Sequence, residues 1–374
     1  MKQQNQPQPY SPENSPTYTT NDEIDLRELF KALWDGKLII ILVTVLFTAS
    51  SIVFALFAQE WWSSDAKVAE AQPRNLSAYQ QQVKQFQPVF NIYQDDGTVL
   101  VSQELDDLVD VEVLFKRFVN TFGSSNNKRA FLDQNTEFQQ LKVATTANAS
   151  NLTEDEARAL YARWFERISA SKVDKKDRNS PYTISFQTTT KESSFDLLTS
   201  YVSFTESKVR EDAFSNLKAF VNSKRNELIQ QKRILESQAK NQLLVETERT
   251  EYAVEIALAA GVEKPTQTGN DKEIFGIELG SKGLEAKIKA LDSLKNLSVI
   301  EPRLLQINAK LDMLNNLEID RTVDFQTFRY LENIEQPITR DKPKRALIVV
   351  LGTLLGGMLG VAIVLIRFAF RKED

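Results

Sequence analysis

The groups with the most evident capacity for chemistry are three acidic clusters, Asp95-Asp96, Asp106-Asp107 and Glu154-Asp155-Glu156. Two carboxylates divide acid and base duties only when they face each other across a substrate. Residues adjacent in sequence do not face each other on a helix or a strand, so these clusters read as solvated surface or helix starts. The chain contains no histidine and no cysteine. Their absence removes Ser-His-Asp and Cys-His relays, the usual zinc ligand sets, disulfides, and the side chain that titrates near neutral pH. The glycine-rich run Leu351-Gly352-Thr353-Leu354-Leu355-Gly356-Gly357 lacks the Gly-Lys-Ser/Thr ending of a phosphate loop. No catalytic residue, cofactor site or metal site is therefore assigned, and the chain reads as a non-enzyme. A net charge of -5 argues against nucleic acid, whose binding needs a basic face to displace counterions.

The elements that organise the chain are two apolar runs, residues 38–58 and 346–366, with hydrophilic sequence between them. Neither run holds a charge, and each, at about 21 residues, matches a helix crossing roughly 30 Å of hydrocarbon at 1.5 Å per residue. Buried helices of soluble cores rarely run that long uncharged. A cleaved signal peptide fits poorly, because the first run starts late and no small-residue cleavage site in polar surroundings follows it. The expected class is an α+β membrane protein with two transmembrane helices flanking a large portion that folds in water. Arg27, Lys31 and Lys37 precede the first run, and the next positive charge after it is Lys67, which places the amino terminus in the cytoplasm. The second run has basic residues on both sides and votes weakly. The middle portion is then outside the cytoplasm and both termini inside.

Residues 1–20 carry few large apolar side chains and are expected to be a disordered cytoplasmic tail. Thr20-Asn21-Asp22-Glu23 has the form of a capping box, and Leu26, Leu29, Phe30, Leu33 and Trp34 follow at helical spacing. Residues 21–37 thus read as an amphipathic helix on the inner membrane face, or as an extension of the span at a different angle. Trp61 and Trp62 mark the outer interface. Residues 59–190 mix helical patterns, at 110–122 and 153–168, with short strand candidates. The clearest strand is 182–188, where Tyr182, Ile184 and Phe186 alternate with polar residues behind Pro181. An α/β base domain near the membrane is expected.

No glycine or proline occurs from Tyr182 to Ala260. A helix over 191–261 would be roughly 100 Å long at 1.5 Å per residue, far beyond what a domain of this size uses internally. Leu217, Val221, Leu228, Leu235 and Leu243, with Ala239, form a thin seam interrupted by Lys224 and Gln231. Such a seam suits a long helix packed against a returning partner and against copies of itself. Gly261-Val262-Glu263-Lys264-Pro265 breaks the helix, and residues 262–322 supply a loop and return helices at 284–297 and 304–317. Residues 323–331 look like a strand rejoining the base, and the linker to residue 345 is stiffened by Pro337 and Pro343. In the second span Gly352, Gly356 and Gly360 lie four apart, leaving one face bare for close helix approach, with Ser51 and Ala55 on the first span as a partner face. Residues 367–374 form a short cytoplasmic tail.

Glu23-Ile24-Asp25-Leu26 with Leu33-Trp34, and Phe328-Arg329-Tyr330, Pro337 and Asp341-Lys342-Pro343 before the glycine-bearing span, resemble the Wzz chain-length determinants. These are polysaccharide co-polymerases of Gram-negative inner membranes. The helix break from Glu255 to Pro265 and Leu279-Gly280-Ser281-Lys282-Gly283 look like the FepE-like branch, associated with very long chains. The likeness covers nearly all of the chain beyond Thr20. It implies a periplasmic α/β base, a very long helical hairpin and a homo-oligomeric ring. It also implies control of the modal length of lipopolysaccharide O-antigen, with a membrane O-antigen polymerase as partner and the growing undecaprenyl-linked glycan as a further one. The family offers no catalytic residues to carry over. Arg340-Asp341-Lys342 makes the prolyl segment more charged than in some members, so no polymerase affinity is inferred from it. The alternative is a co-polymerase for capsule or exopolysaccharide working with a separate kinase chain, since no Walker-type domain follows the second span. A two-span receptor would need a signalling module for which residues 367–374 leave no room.

Overall fold

The computed structural model describes residues 26–94, 96–145, 153–266 and 274–373. The tail over 1–20, the capping box at Thr20 to Glu23, and Asp95 lie outside the described residues. The chain divides into two compact units, Met1–Trp61 with Thr339–Asp374, and Trp62–Ile338.

The first unit is helical. A short helix Leu26–Asp35 ends at Gly36, and Lys37–Phe57 follows as a separate helix. Gly36 is where the side chain of Val364 fits, since a Cβ there would collide with both Val364 methyls. The other long helix, Arg345–Glu373, runs beside Lys37–Phe57. Both are long and apolar enough to cross a membrane.

The second unit contains an antiparallel four-stranded sheet in the spatial order Ile168–Lys172, Tyr182–Thr188, Trp62–Glu70, Phe328–Glu332. Tyr182–Thr188 buries Ile184, Phe186 and Thr188 on one face, as its alternation demands. Trp62 pairs with Thr188 at the start of its strand, and the register with Phe328–Glu332 shifts between Lys67 and Val68. Helices Val111–Gly123, Ser125–Gln134 and Glu154–Phe165 pack with this sheet around Phe118, Phe122, Phe131, Trp164, Phe186 and Tyr201. The helix at 154 starts with a complete capping box between Thr153 and Glu156.

The long helix spans Lys191–Ala259, 69 residues. Thr190 caps it by accepting from the Ser193 N–H at 3.1 Å. It ends in a Schellman arrangement: Gly261 adopts φ +70°, Val262 N–H donates to Ala257 O and Gly261 N–H to Leu258 O. The turn closes at Gly280, φ +65°, where a Cβ would lie 2.7 Å from the Glu263 and Lys264 backbone. The return is two helices, Gly280–Asp292 and Arg303–Asn316, with a 3-10 turn Leu297–Val299 between them. Each return helix is displaced toward the amino terminus relative to the periodic pattern. Leu297 is drawn out of helix because the Asn296 side chain accepts from Ser298 N–H and starts the turn. The strand expected over 323–331 is shifted as well and occupies Phe328–Glu332. Residues ahead of it have other duties: Asp324 pairs with Arg210, and Phe325 is buried, stacked on Tyr79 with ring centroids 4.3 Å apart.

Candidate functional site

In the helical unit, Gly352, Gly356 and Gly360 are all buried on one face of the second long helix, and that face meets the first. A Cβ at Gly352 would collide with Ser51 Oγ. At Gly356 it would lie 2.7 Å from Phe47 Cβ and 3.0 Å from Thr44 Cα, and at Gly360 2.8 Å from Ile40 Cα. The helices therefore approach backbone to backbone, as small residues permit. Thr48 and Thr353 hydroxyls hydrogen-bond across the pair at 3.0 Å, and each also bonds the carbonyl one turn back in its own helix. Ala55 is buried on the same side.

The end of this pair is held by an ion cluster. Glu60 Oε1 accepts from Arg340 Nη1 and from Arg345 Nη2, each at 2.8 Å, while Arg345 Nε donates to Ala55 O at 3.0 Å. Trp61 N–H donates to Lys342 O at 3.0 Å and Asp341 N–H to Trp61 O at 2.9 Å, a single bridge that fixes the entry of the chain into the second helix. Pro343 follows this bridge and precedes Arg345 in the chain; Pro337 lies in the other unit, half-buried. Because the three charged groups are about one-third exposed, each pair contributes on the order of 1 kcal/mol or less.

Along the hairpin, Leu217, Val221, Leu228 and Leu235 are buried in one cluster with Leu304, Ile307 and Leu314 of the return. Leu243 is half-buried and falls in sequence between this cluster and a small one at the tip, Ala253, Ala257 and Leu284. Polar bridges supplement the thin apolar contact: Arg225 Nη2 donates to Leu314 O at 2.8 Å, and Lys287 pairs with Glu246.

The acidic clusters have local roles. Asp96 accepts from the Thr98 hydroxyl and N–H, which holds its carboxyl below the usual range. Asp106 pairs with Lys84, and Glu154 and Asp155 with Arg158. Glu156 accepts from Thr153, again lowering its carboxyl. These carboxylates sit at turns and helix starts and bond to near neighbours in the sequence or to a surface lysine. No group of three or more metal-ligating side chains occurs among the described residues.

Buried ionisable groups in the base domain were not legible from sequence. Lys128 donates to Phe165 O and Ile168 O at 2.9 and 2.7 Å, and burial lowers its pKa. Asn127 donates to the Tyr201 hydroxyl and to Thr205, and Tyr201 donates to Phe122 O. Glu206 is half-buried with one carboxylate oxygen unpaired; burial raises its pKa and Arg210 opposes the rise. Burial, with the Glu206 charge adding to it, pushes Tyr330 up to about 12. A carboxyl whose folded pKa is raised costs stability once it ionises, so the cost appears as pH climbs through the carboxylate range and is complete above the folded pKa. Glu206→Gln is therefore expected to raise the thermal midpoint at neutral pH, with the difference shrinking on acidification. Equal midpoints for the two proteins from acid to neutral pH would show that the Glu206 charge is solvated.

A Wzz model, described as chain length determinant protein, matches residues 22–109. The match takes in the first long helix and the first strand of the base. Over this segment the chain resembles the Wzz family. A second model, the GNVR G-rich domain on putative tyrosine kinases, matches residues 306–369, which include the glycine face. The chain is 27% identical over 368 residues to the ferric enterobactin transport protein FepE of Escherichia coli K12, covering 95% of the chain and 92% of that protein. It is 28% identical to the chain length determinant protein of Shigella dysenteriae, covering 94% and 95%. It is 26% identical to the ECA polysaccharide chain length modulation protein of Escherichia coli K12, covering 94% and 97%. Among solved structures, a full-length bacterial polysaccharide co-polymerase superposes with TM-score 0.61 at 25% identity, covering 94% of the chain and 99% of that one. The wild-type Shigella flexneri O-antigen chain-length regulator shares the fold at TM-score 0.50 and 22% identity, over 75% of the chain and all of that one.

Proposed function

We propose that this protein regulates the modal chain length of lipopolysaccharide O-antigen, specifying long chains, and that it acts with a membrane polymerase rather than performing the chemistry itself. The observation that carries this reading is the likeness to a polysaccharide co-polymerase over 94% of the chain, together with the family match. The local bonding of the acidic clusters supports a regulator over a glycan-cleaving enzyme. The chain sits in the inner membrane through Lys37–Phe57 and Arg345–Glu373, with both termini cytoplasmic and Trp62–Ile338 periplasmic. Copies assemble into a ring, which gives the thin hairpin seam additional burial. The match to a domain carried on putative tyrosine kinases favours one second reading, a co-polymerase for capsule or exopolysaccharide that works with a separate kinase chain.

The deciding experiment is the length ladder of surface polysaccharide. Deleting the gene should leave repeat units polymerised but scatter them toward short chains, and restoring it should return a cluster at one long size. A ladder unchanged by deletion, with another exported glycan altered, would move the assignment to that glycan; no altered glycan would refute length control. Topology is tested separately. The chain has no cysteine, so Ser11→Cys and Ser293→Cys, the latter exposed, can be probed with an impermeant thiol reagent. In intact spheroplasts position 293 should label and position 11 should not; the opposite pattern would invert the topology.

A further inference from the structure

A groove of about 920 Å³ opens on the base domain between Val111–Gly123, Ser125–Gln134 and residues 204–212 of the long helix. Its walls carry four carboxamides, Asn120, Asn126, Asn127 and Gln134, and two hydroxyls, Thr121 and Ser124. Asn127 donates to Tyr201 and Thr205, but none of the other five side chains hydrogen-bonds to another group among the described residues, and Ser124 leaves its own helix without a side-chain cap. Phe204 lines the same groove, half-buried and resting against Phe131 with ring centroids 5.6 Å apart. The rim charges are largely internal pairs: Lys116 with Glu112 and Lys208 with Glu211. Arg117 lines the groove without an acidic partner among the described residues.

This combination selects a ligand chemistry. A carboxamide presents a donor and an acceptor side by side, which matches neighbouring hydroxyls on a sugar ring, and an aromatic face accepts the apolar C–H side of that ring. A peptide would call for an open strand edge or deep apolar anchors. Nucleic acid would call for a strongly cationic channel, whereas Glu211 and Asp212 stand on this wall. The size falls within the range of small-molecule sites. We infer that the groove binds a short stretch of oligosaccharide, with Asn120, Asn126 and Gln134 as polar contacts, Phe204 as platform, and Arg117 available to a carboxylate on the sugar. The inference rests on the reading of the chain as a regulator of polysaccharide length and adds to it direct contact with the glycan by the base domain.

Full-length protein in nanodiscs would be titrated with polysaccharide released by mild acid from the host's own lipopolysaccharide and fractionated to short lengths, with NMR saturation transfer as the readout. Saturable binding is expected, weakened about tenfold or more in the double variant Asn120→Ala, Asn126→Ala. Both side chains are exposed and have no hydrogen-bond partner among the described residues, so the variant should keep the circular dichroism and melting of the parent. Absence of saturable binding, or equal affinity in the double variant, would overturn the inference. So would a changed oligomer size with glycan affinity intact, which would assign the groove to contact between copies. The two readings fail separately. A chain that sets the ladder without binding glycan sinks the groove alone, whereas Asn-dependent binding in a chain whose deletion leaves the ladder unchanged sinks length control alone.

Discussion

Replacing Gly356 with leucine is expected to force the two membrane helices apart and to abolish the preferred polymer length. Even the first carbon of the new side chain would lie 2.7 Å from Phe47 Cβ and 3.0 Å from the Thr44 backbone, and the backbone has no rotamer with which to yield. Overpacking of this kind costs about 1–3 kcal/mol, and the displaced pair also loses the Thr48–Thr353 hydrogen bond. Leu354→Ile is the matched control, because Leu354 is exposed on the flank of the same helix. A direct distance readout is available in a chain without native cysteine. Thr48→Cys with Thr353→Cys should cross-link rapidly on oxidation in the parent, since the two hydroxyls lie 3.0 Å apart. Adding Gly356→Leu should slow that reaction sharply while Leu354→Ile leaves it unchanged. Rapid cross-linking and a normal ladder in the Gly356 variant would mean that the bare face tolerates bulk and has no packing role.

How far such contacts are legible in sequence depends on whether their cause is local. The glycine spacing and Ser51 point to the same helix face that the structure brings together, because helical period alone determines which residues share a face. Tyr182–Thr188 reads as a strand for the same reason, with a period of two and a proline ahead of it. Its neighbours Trp62–Glu70 and Ile168–Lys172 do not, since serine and lysine interrupt their alternation. There a polar side chain is made compatible with burial only by a distant partner, as in the 3.0 Å bond between Ser64 and Ser194. The Glu60 cluster is still further from any local signal, its arginines lying 280 and 285 residues away in the chain. Basic residues before a second span suggest orientation in a membrane, and nothing in their spacing tells that two of them meet one carboxylate. The groove escapes sequence reading likewise, because Asn120, Asn126, Gln134 and Phe204 come from three helices with no common period.

Breaking the hairpin is expected to separate length control from synthesis most cleanly. Leu235 lies mid-way along the seam, buried in the cluster that includes Leu228 and Ile307. Leu235→Pro would remove an N–H that the helix uses and press the ring onto the preceding turn, at a cost of about 3 kcal/mol or more. Around Leu235 the 69-residue helix, roughly 100 Å at 1.5 Å per residue, is held by the apolar cluster it shares with Leu228 and Ile307 and by polar bridges such as Arg225 to Leu314, and a break there would disrupt both. The base domain has its own cluster around Phe118, Phe186 and Tyr201, and the membrane pair has its glycine contacts, so insertion and the fold of the base should persist. Under the proposed function, in which a separate polymerase performs the chemistry, polymer should still be made with its lengths scattered. A control, Leu235→Met, keeps volume and helix propensity and should retain the preferred length. If the proline variant inserted normally, kept its base domain folded and yet made no polymer at all, the hairpin would be required for synthesis itself. The regulatory reading would then have to give way to a direct part in the reaction.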